Sequence, residues 1–146
     1  MYDAVVAGGS ISGLLAAREI AKNGHSVLVL EEGFEVGSPE HCGGLVSENA
    51  LKELGIDASP KTFDSKIDCA KIFSPEGKEI TINSQKQKII VINRRELDKQ
   101  AARQARDNGA EISVKTSFQE KINNVIRTSN GNVECKFFVD CRGVSR

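Results

Sequence analysis

The chain lacks an excess of charge of either sign: Lys and Arg total 20, Asp and Glu total 20, and the formal net charge is zero. That removes the attraction on which non-specific binding to nucleic acid or to an anionic membrane rests, so no nucleic-acid partner is expected. It also lacks a Cys-x-x-Cys pair and a matching pair of histidines, its four cysteines being Cys42, Cys69, Cys135 and Cys141. The spacing argues against a structural zinc site and against a disulfide scaffold, and it fits a reducing, cytoplasmic compartment. No apolar stretch approaches the roughly 20 residues that span a bilayer, and Met1 runs into an apolar strand without a basic leader or cleavage site. A soluble protein, at most peripheral to a membrane, is expected. Internal repeats and low-complexity tracts are absent as well, and 146 residues suit a single domain of common size.

What is present is an alternation of strand and helix signals. Tyr2 to Ala7 is a short apolar run ending in glycine, the pattern of a buried parallel strand. From Ser12 to Asn23 the residues Leu14, Leu15, Ala17, Ile20 and Ala21 recur at helical spacing, with Gly24 as the C-terminal stop. Val27 to Leu30 is a second apolar run, so the opening reads as βαβ. Gly33 to Ser47, rich in glycine and polar residues, reads as a long site loop. Ser47 is placed to cap a short helix through Leu54. Ile67 to Phe73 and Glu79 to Ile82 flank the turn residues Pro75, Glu76 and Gly77 as a hairpin. Lys88 to Asn93 is a third apolar run, followed by a helix from Arg95 to Asn108 and a strand from Ala110 to Val114. Lys121 to Thr128 is expected to pair with Val133 to Val139 across Asn130 and Gly131, since Asn-Gly favours a tight hairpin.

The segment Gly8, Gly9, Ser10, Ile11, Ser12, Gly13 follows the first strand and opens the first helix. It fills the position of a G-x-G-x-x-G dinucleotide fingerprint, with Ser10 in place of the middle glycine. Gly8 permits the tight turn, Gly13 lets helix and strand pack closely, and the helix N-terminus favours a diphosphate. A serine at position 10 adds only a hydroxyl, which can donate to phosphate. Glu31 follows the second strand at close to the spacing of the acid that accepts from a ribose hydroxyl. Its charge disfavours a 2′-phosphate, pointing to the adenosine of FAD or NAD. Glu31 and Glu32 are equally readable as a solvated acid pair at a strand end.

With these residues in place, the first 32 positions resemble the amino terminus of FAD-dependent oxidoreductases of the glutathione-reductase-like superfamily. Pro39, Glu40, His41, Cys42, Gly43 and Gly44 look like the P-x-x-C-x-G loop of the geranylgeranyl reductase family, flavoenzymes that saturate isoprenoid double bonds. Asn93 to Asp98, continuing through Ala102 and Ala105, resembles that family's arginine helix, which flavin hydroxylases share. Asp140, Cys141, Arg142 and Gly143 match its D-A-x-G segment. Ser10, Cys141 and Arg142 depart from the commonest residues at their positions, and family members are much longer.

The resemblance implies a Rossmann-like α/β FAD-binding fold with a parallel sheet and an antiparallel β insertion. It implies that residues 1–146 form one FAD-binding domain, the N-terminal portion of a longer flavoprotein whose substrate domain is largely missing, and that this portion alone is inactive. The expected activity is reduction of C=C bonds in isoprenoid chains by hydride transfer from reduced flavin, a step in lipid biosynthesis. The electron donor is NAD(P)H or a ferredoxin, the substrate is hydrophobic, and contact with a membrane is peripheral. The implied cofactor-binding residues are Gly8, Gly9, Ser10, Ser12, Gly13, Glu31, Glu32, Cys42, Gly43, Gly44, Arg95, Asp140 and Gly143. Cys42 is also the candidate catalytic residue, as a proton donor or a guide for the alkene, against the plainer reading of an inert thiol. His41 stands beside it as a titratable loop residue. Arg94 or Arg95 can instead simply pair with Asp98 along the helix. Two other functions stay open at this point: a flavin-dependent hydroxylase, which has no need of the cysteine loop, and a nucleotide-binding module without activity.

Overall fold

In the computed structural model, which describes residues 1–39, 42–83 and 88–144, the chain begins with β1 (Tyr2–Ala7), α1 (Ile11–Lys22) and β2 (Val27–Leu30). It continues through β3 (Leu45–Ser47), α2 (Glu48–Glu53), β4 (Phe63–Ile67), β5 (Cys69–Phe73), β6 (Glu79–Asn83) and β7 (Ile89–Ile92). It closes with α3 (Arg94–Asp107), β8 (Glu111–Ser113), β9 (Phe118–Ile122), β10 (Val125–Thr128) and β11 (Gly131–Asp140). The chain divides into two units, Met1–Glu40 with Arg95–Arg146, and His41–Arg94.

The first unit is a six-stranded sheet in the order β8-β2-β1-β11-β10-β9. β8, β2, β1 and β11 run parallel, while β9, β10 and β11 form an antiparallel meander. The central strands are apolar on both faces because both faces are covered. Ala4, Val6, Val27 and Val29 pack with Ala17 and Ala21 of α1 and with Ala105 of α3. Their alternates Val5, Leu28 and Leu30 pack with Ile126 and Cys135. The sheet is thus Rossmann-like, with β1 in its interior and α1 rising from the end of β1.

β11 changes partner along its length. Gly131 to Glu134 pairs antiparallel with β10, and Cys135 to Asp140 pairs parallel with β1. The single strand expected from Lys121 to Thr128 is two strands, because Asn123 takes a left-handed φ of 53° and turns the chain between the paired Ile122 and Val125. Asparagine tolerates that conformation better than most residues.

The second unit holds the antiparallel sheet β3-β7-β4 and the separate hairpin β5-β6. The apolar run at Lys88 to Asn93 is its central strand, β7, antiparallel to both neighbours. Part of the expected site loop is itself a strand, β3, and the run expected from Ile67 is cut between β4 and β5. Ser47 caps α2 as expected, its hydroxyl accepting from the Ala50 amide. Leu51, Ile56 and Ile90 are buried in this unit. The hairpin is different, with every residue of β5 and β6 exposed.

Candidate cofactor site

The glycine turn after β1 is fixed by backbone groups that approach too closely for side chains. Gly8 has φ +106°, and its amide donates to the Leu30 carbonyl at 2.8 Å. A Cβ on Gly8 would lie 2.5 Å from the Cys141 carbonyl oxygen, and one on Gly13 would lie 2.0 Å from that of Gly8. Contacts that short are forbidden, so α1 can dock on β1 at this distance only with glycine at position 13.

The acid at the end of β2 reaches this turn. Glu31 Oε2 accepts from the Gly9 amide at 2.9 Å, and its Oε1 accepts from the Gly33 amide at 2.7 Å. Each oxygen keeps a lone pair for a ribose hydroxyl. The expected ribose acceptor and the expected phosphate turn therefore stand within one hydrogen bond of each other, on parallel strands paired at Ala7 and Leu30.

At the head of α1, Ser10 occupies the N-cap position with extended backbone and no side-chain cap bond. Its hydroxyl lies 3.4 Å from that of Ser12. No acidic residue sits in the first turn, so the positive end of this helix is not neutralised from within. A diphosphate fits such a place: the first amides of α1 have no partner within the helix, and two hydroxyls can donate. Glu32 is exposed at the same strand end.

Asp140, at the end of β11, is committed elsewhere. Its Oδ1 accepts from the Arg142 amide at 3.2 Å and from Nε at 2.9 Å, and its Oδ2 accepts from Nη2 at 2.7 Å. These bonds lower the Asp140 carboxyl to about 2. The Arg142 guanidinium also lies 4.4 Å over the Phe118 ring, which stacks on Phe138. The return segment is thereby clamped beside the glycine turn, where the Cys141 amide donates to the Ala7 carbonyl at 2.8 Å. Arg142 was marked by sequence only as a departure from the D-A-x-G segment and Phe118 not at all; the Asp-x-Arg spacing was the available signal for the clamp. Gly143 has φ +72° and open space around its missing side chain.

Arg95, in the first turn of α3, pairs with Glu35, and Lys99 one turn later reaches the same carboxylate at 3.3 Å. Neither Glu35 nor Lys99 was marked by the motifs. The helical spacing of two cations was visible, but their partner lies 60 residues before Arg95.

In the second unit Cys42 is an exposed free thiol. Gly43 has open space around it, whereas a Cβ on Gly44 would lie 2.1 Å from the Ile92 carbonyl oxygen. Gly44, with φ +73°, is therefore glycine for a reason inside its own sheet, where its carbonyl accepts from the Ile92 amide at 2.9 Å. Glu40 and His41 lie outside the described residues. Among the described residues no cluster suited to a metal ion occurs, and no helix is long and apolar enough to cross a membrane.

Comparison with known proteins agrees with this fold. Residues 6–71 match the family model of an NAD(P)-binding Rossmann-like domain. A digeranylgeranylglycerophospholipid reductase of Methanocella arvoryzae is 35% identical over 118 residues, covering 79% of this chain and 30% of the relative. A geranylgeranyl bacteriochlorophyll reductase-like protein of Thermoplasma acidophilum superposes with a TM-score of 0.86 at 32% identity, over 97% of this chain and 39% of that one. An FAD-dependent chondrochloren halogenase from a myxobacterium shares the fold at 17% identity, with a TM-score of 0.77 over 97% of this chain and 37% of its own. The chain thus spans about 30% of the length of the curated relative.

Proposed function

We propose that residues 1–146 are the FAD-binding portion of a flavoenzyme that reduces C=C bonds of isoprenoid chains, a reading supported by the similarity to the geranylgeranyl reductases over the stretch the chain spans. The observation that carries this reading is the bond from the Gly9 amide to Glu31. It joins a diphosphate cradle to a ribose acceptor, and an adenosine diphosphate moiety needs both.

In this reading Gly8, Gly9, Ser10, Ser12 and Gly13 hold the diphosphate, and Glu31, with Glu32 near it, holds the adenosine ribose. Asp140, locked by Arg142, and Gly143 shape the return segment, and Arg95 supplies a cation to the cofactor. Bound FAD would supply the two-electron reduction, recharged by NAD(P)H or a ferredoxin. Cys42, Gly43 and Gly44 belong to the flavin end, with the Cys42 thiol exposed and able to move a proton or touch the alkene. A shallow groove of about 230 Å³ in the second unit, lined mostly by apolar residues such as Leu45, Ile67, Ile82 and Ile89 with Ser47 and Cys69 among them, supports a hydrocarbon substrate. We further assign the enzyme to the cytoplasm, at a membrane surface only peripherally.

The test is direct. The purified chain is expected to retain FAD through gel filtration, with a flavin band at about 450 nm, and FAD at a hundred times Kd would stabilise it by about 2.7 kcal/mol. Extended to the length of its relatives, it is expected to reduce a geranylgeranyl lipid without consuming oxygen. A colourless chain that FAD does not stabilise removes the reading. NADPH-driven oxygen uptake with hydroxylation would replace it with the hydroxylase.

A further inference from the structure

The loop between Gly33 and Pro39 is held between two helices by one buried side chain. Val36 packs with Leu14 of α1 and with Ala101 and Ala102 of α3, and Ile11, the first residue of α1, lies against the same cluster. The residues flanking Val36 both reach α3. Glu35 pairs with Arg95 and with Lys99, and Gly37 lies so close that a Cβ would sit 2.9 Å from the Arg95 carbonyl oxygen. The loop also folds back on Gly33, whose added Cβ would meet the Ser38 carbonyl at 3.1 Å and Glu35's at 3.3 Å. Gly33 is in turn bonded to Glu31.

Through Val36 and Glu35 the loop links the two α3 cations to Ile11 and Leu14 in the first turns of α1. These contacts leave the guanidinium only partly used. Arg95 Nη2 is engaged by Glu35, while its Nε is buried with no hydrogen-bond partner. The side chain of Arg95 is 41% exposed, so a ligand can reach its Nη groups. An unrestrained arginine or lysine would lose rotamer freedom on meeting an anion, and a carboxylate that already holds both removes part of that loss.

We propose that Glu35 is a positioning residue: it holds Arg95 and Lys99 as a preset cation pair for the phosphate oxygens of a nucleotide diphosphate at the head of α1. The proposal rests on the cofactor reading for its ligand but not for its geometry, and it adds Glu35 and Lys99 to that site. Glu35 touches the cations and not the ligand, so its removal acts on affinity through them.

The test compares FAD, ADP and adenosine, with binding followed by flavin fluorescence for the first and by amide chemical shifts for the others. In Glu35→Gln, FAD and ADP are expected to bind about tenfold more weakly, the equivalent of one charge-assisted hydrogen bond, while adenosine binds as in the wild type. Glu35→Asp is expected to recover part of the loss, and Lys99→Gln to weaken ADP with no change for adenosine. A merely structural Glu35 would weaken all three ligands alike, and that result overturns the proposal. Unchanged or tighter ADP binding in Glu35→Gln overturns it as well, the latter by making Glu35 a competitor of the phosphates. If the wild type binds ADP but not FAD, the flavin reading fails while the ADP arm still decides the role of Glu35. If it binds neither, both fall.

Discussion

The two units use glycine and apolar residues to opposite ends. In the first, β1 and β2 bury both of their faces, and three glycines of one turn have backbone or a fixed carboxylate where a side chain would be. In the second, the hairpin β5-β6 leaves Ile72, Phe73, Ile80 and Ile82 more than half exposed, at 53%, 62%, 63% and 52%. Its pairing places Ala70 opposite Ile82 and Ile72 opposite Ile80, so one face of the ribbon is apolar and open. A site that must hold a phosphate and a ribose in fixed geometry needs a crowded, over-determined backbone. A surface that meets a hydrocarbon or another part of a protein needs only area and apolar character.

That contrast is sharpest at Gly13. Gly13→Ala sets a methyl group against backbone that cannot move away, and a loss of about 3 kcal/mol or more is expected in urea titration, with FAD binding abolished. Gly43→Ala, in open space, is expected to change stability by less than about 0.5 kcal/mol. Gly44→Ala is the variant able to break the contrast: with the Ile92 carbonyl in its way and a positive φ, it is expected to cost about 2 to 3 kcal/mol. A harmless Gly44→Ala would mean that the second unit is loose throughout.

Core truncation comes next. Leu14, fully buried among Val36, Ala101 and Ala102, is expected to cost about 2 to 5 kcal/mol as alanine. Ile80→Thr on the open ribbon face should stay within about 0.5 kcal/mol in urea titration. A smaller effect is expected for Glu31→Gln, whose amide group would face the Gly9 or the Gly33 amide with a donor. One unmet donor costs about 1 to 3 kcal/mol, seen as a lowered Tm and weaker ADP binding.

Acid gives the smallest effect. Asp140 is held near about 2, below the value of about 3.9 for a free side chain, so its charged form favours the folded state. The stabilisation is present above about pH 4 and is lost as pH falls toward about 2. Asp140→Asn should flatten that part of the Tm profile. If it does not, the Arg142 clamp contributes nothing measurable, as is common for exposed pairs.

Much of the first unit was legible because its signals are local. β1 and β2 fall where the apolar runs lie, Gly13 packs against Gly8, and Glu31 reaches the same turn at Gly9. α3 was visible from its alanine stripe within a residue at each end. The second unit was less legible. Its three-residue strand β3 is too short to show a period, and the break between β4 and β5 rests on the single residue Asp68, with no glycine or proline to mark it. The Asn123 turn was overlooked because Asn-Asn is a weaker signal than Asn-Gly. Among site residues, Glu35 and Lys99 escaped, and Arg142 was marked only as a departure, because their importance lies in their partners.

The sequence by itself determined the βαβ opening and the chemistry of its turn, since a glycine, a helix start and an acid at fixed spacing act within a few tens of residues. Only the tertiary structure decided that β11 would serve the meander with one half and β1 with the other. The same holds for Gly44, which must be glycine for Ile92, and for the carboxylate of Glu35, which holds two cations of a helix far along the chain. Those outcomes depend on which distant backbone arrives within bonding distance, a matter of packing that no local pattern encodes.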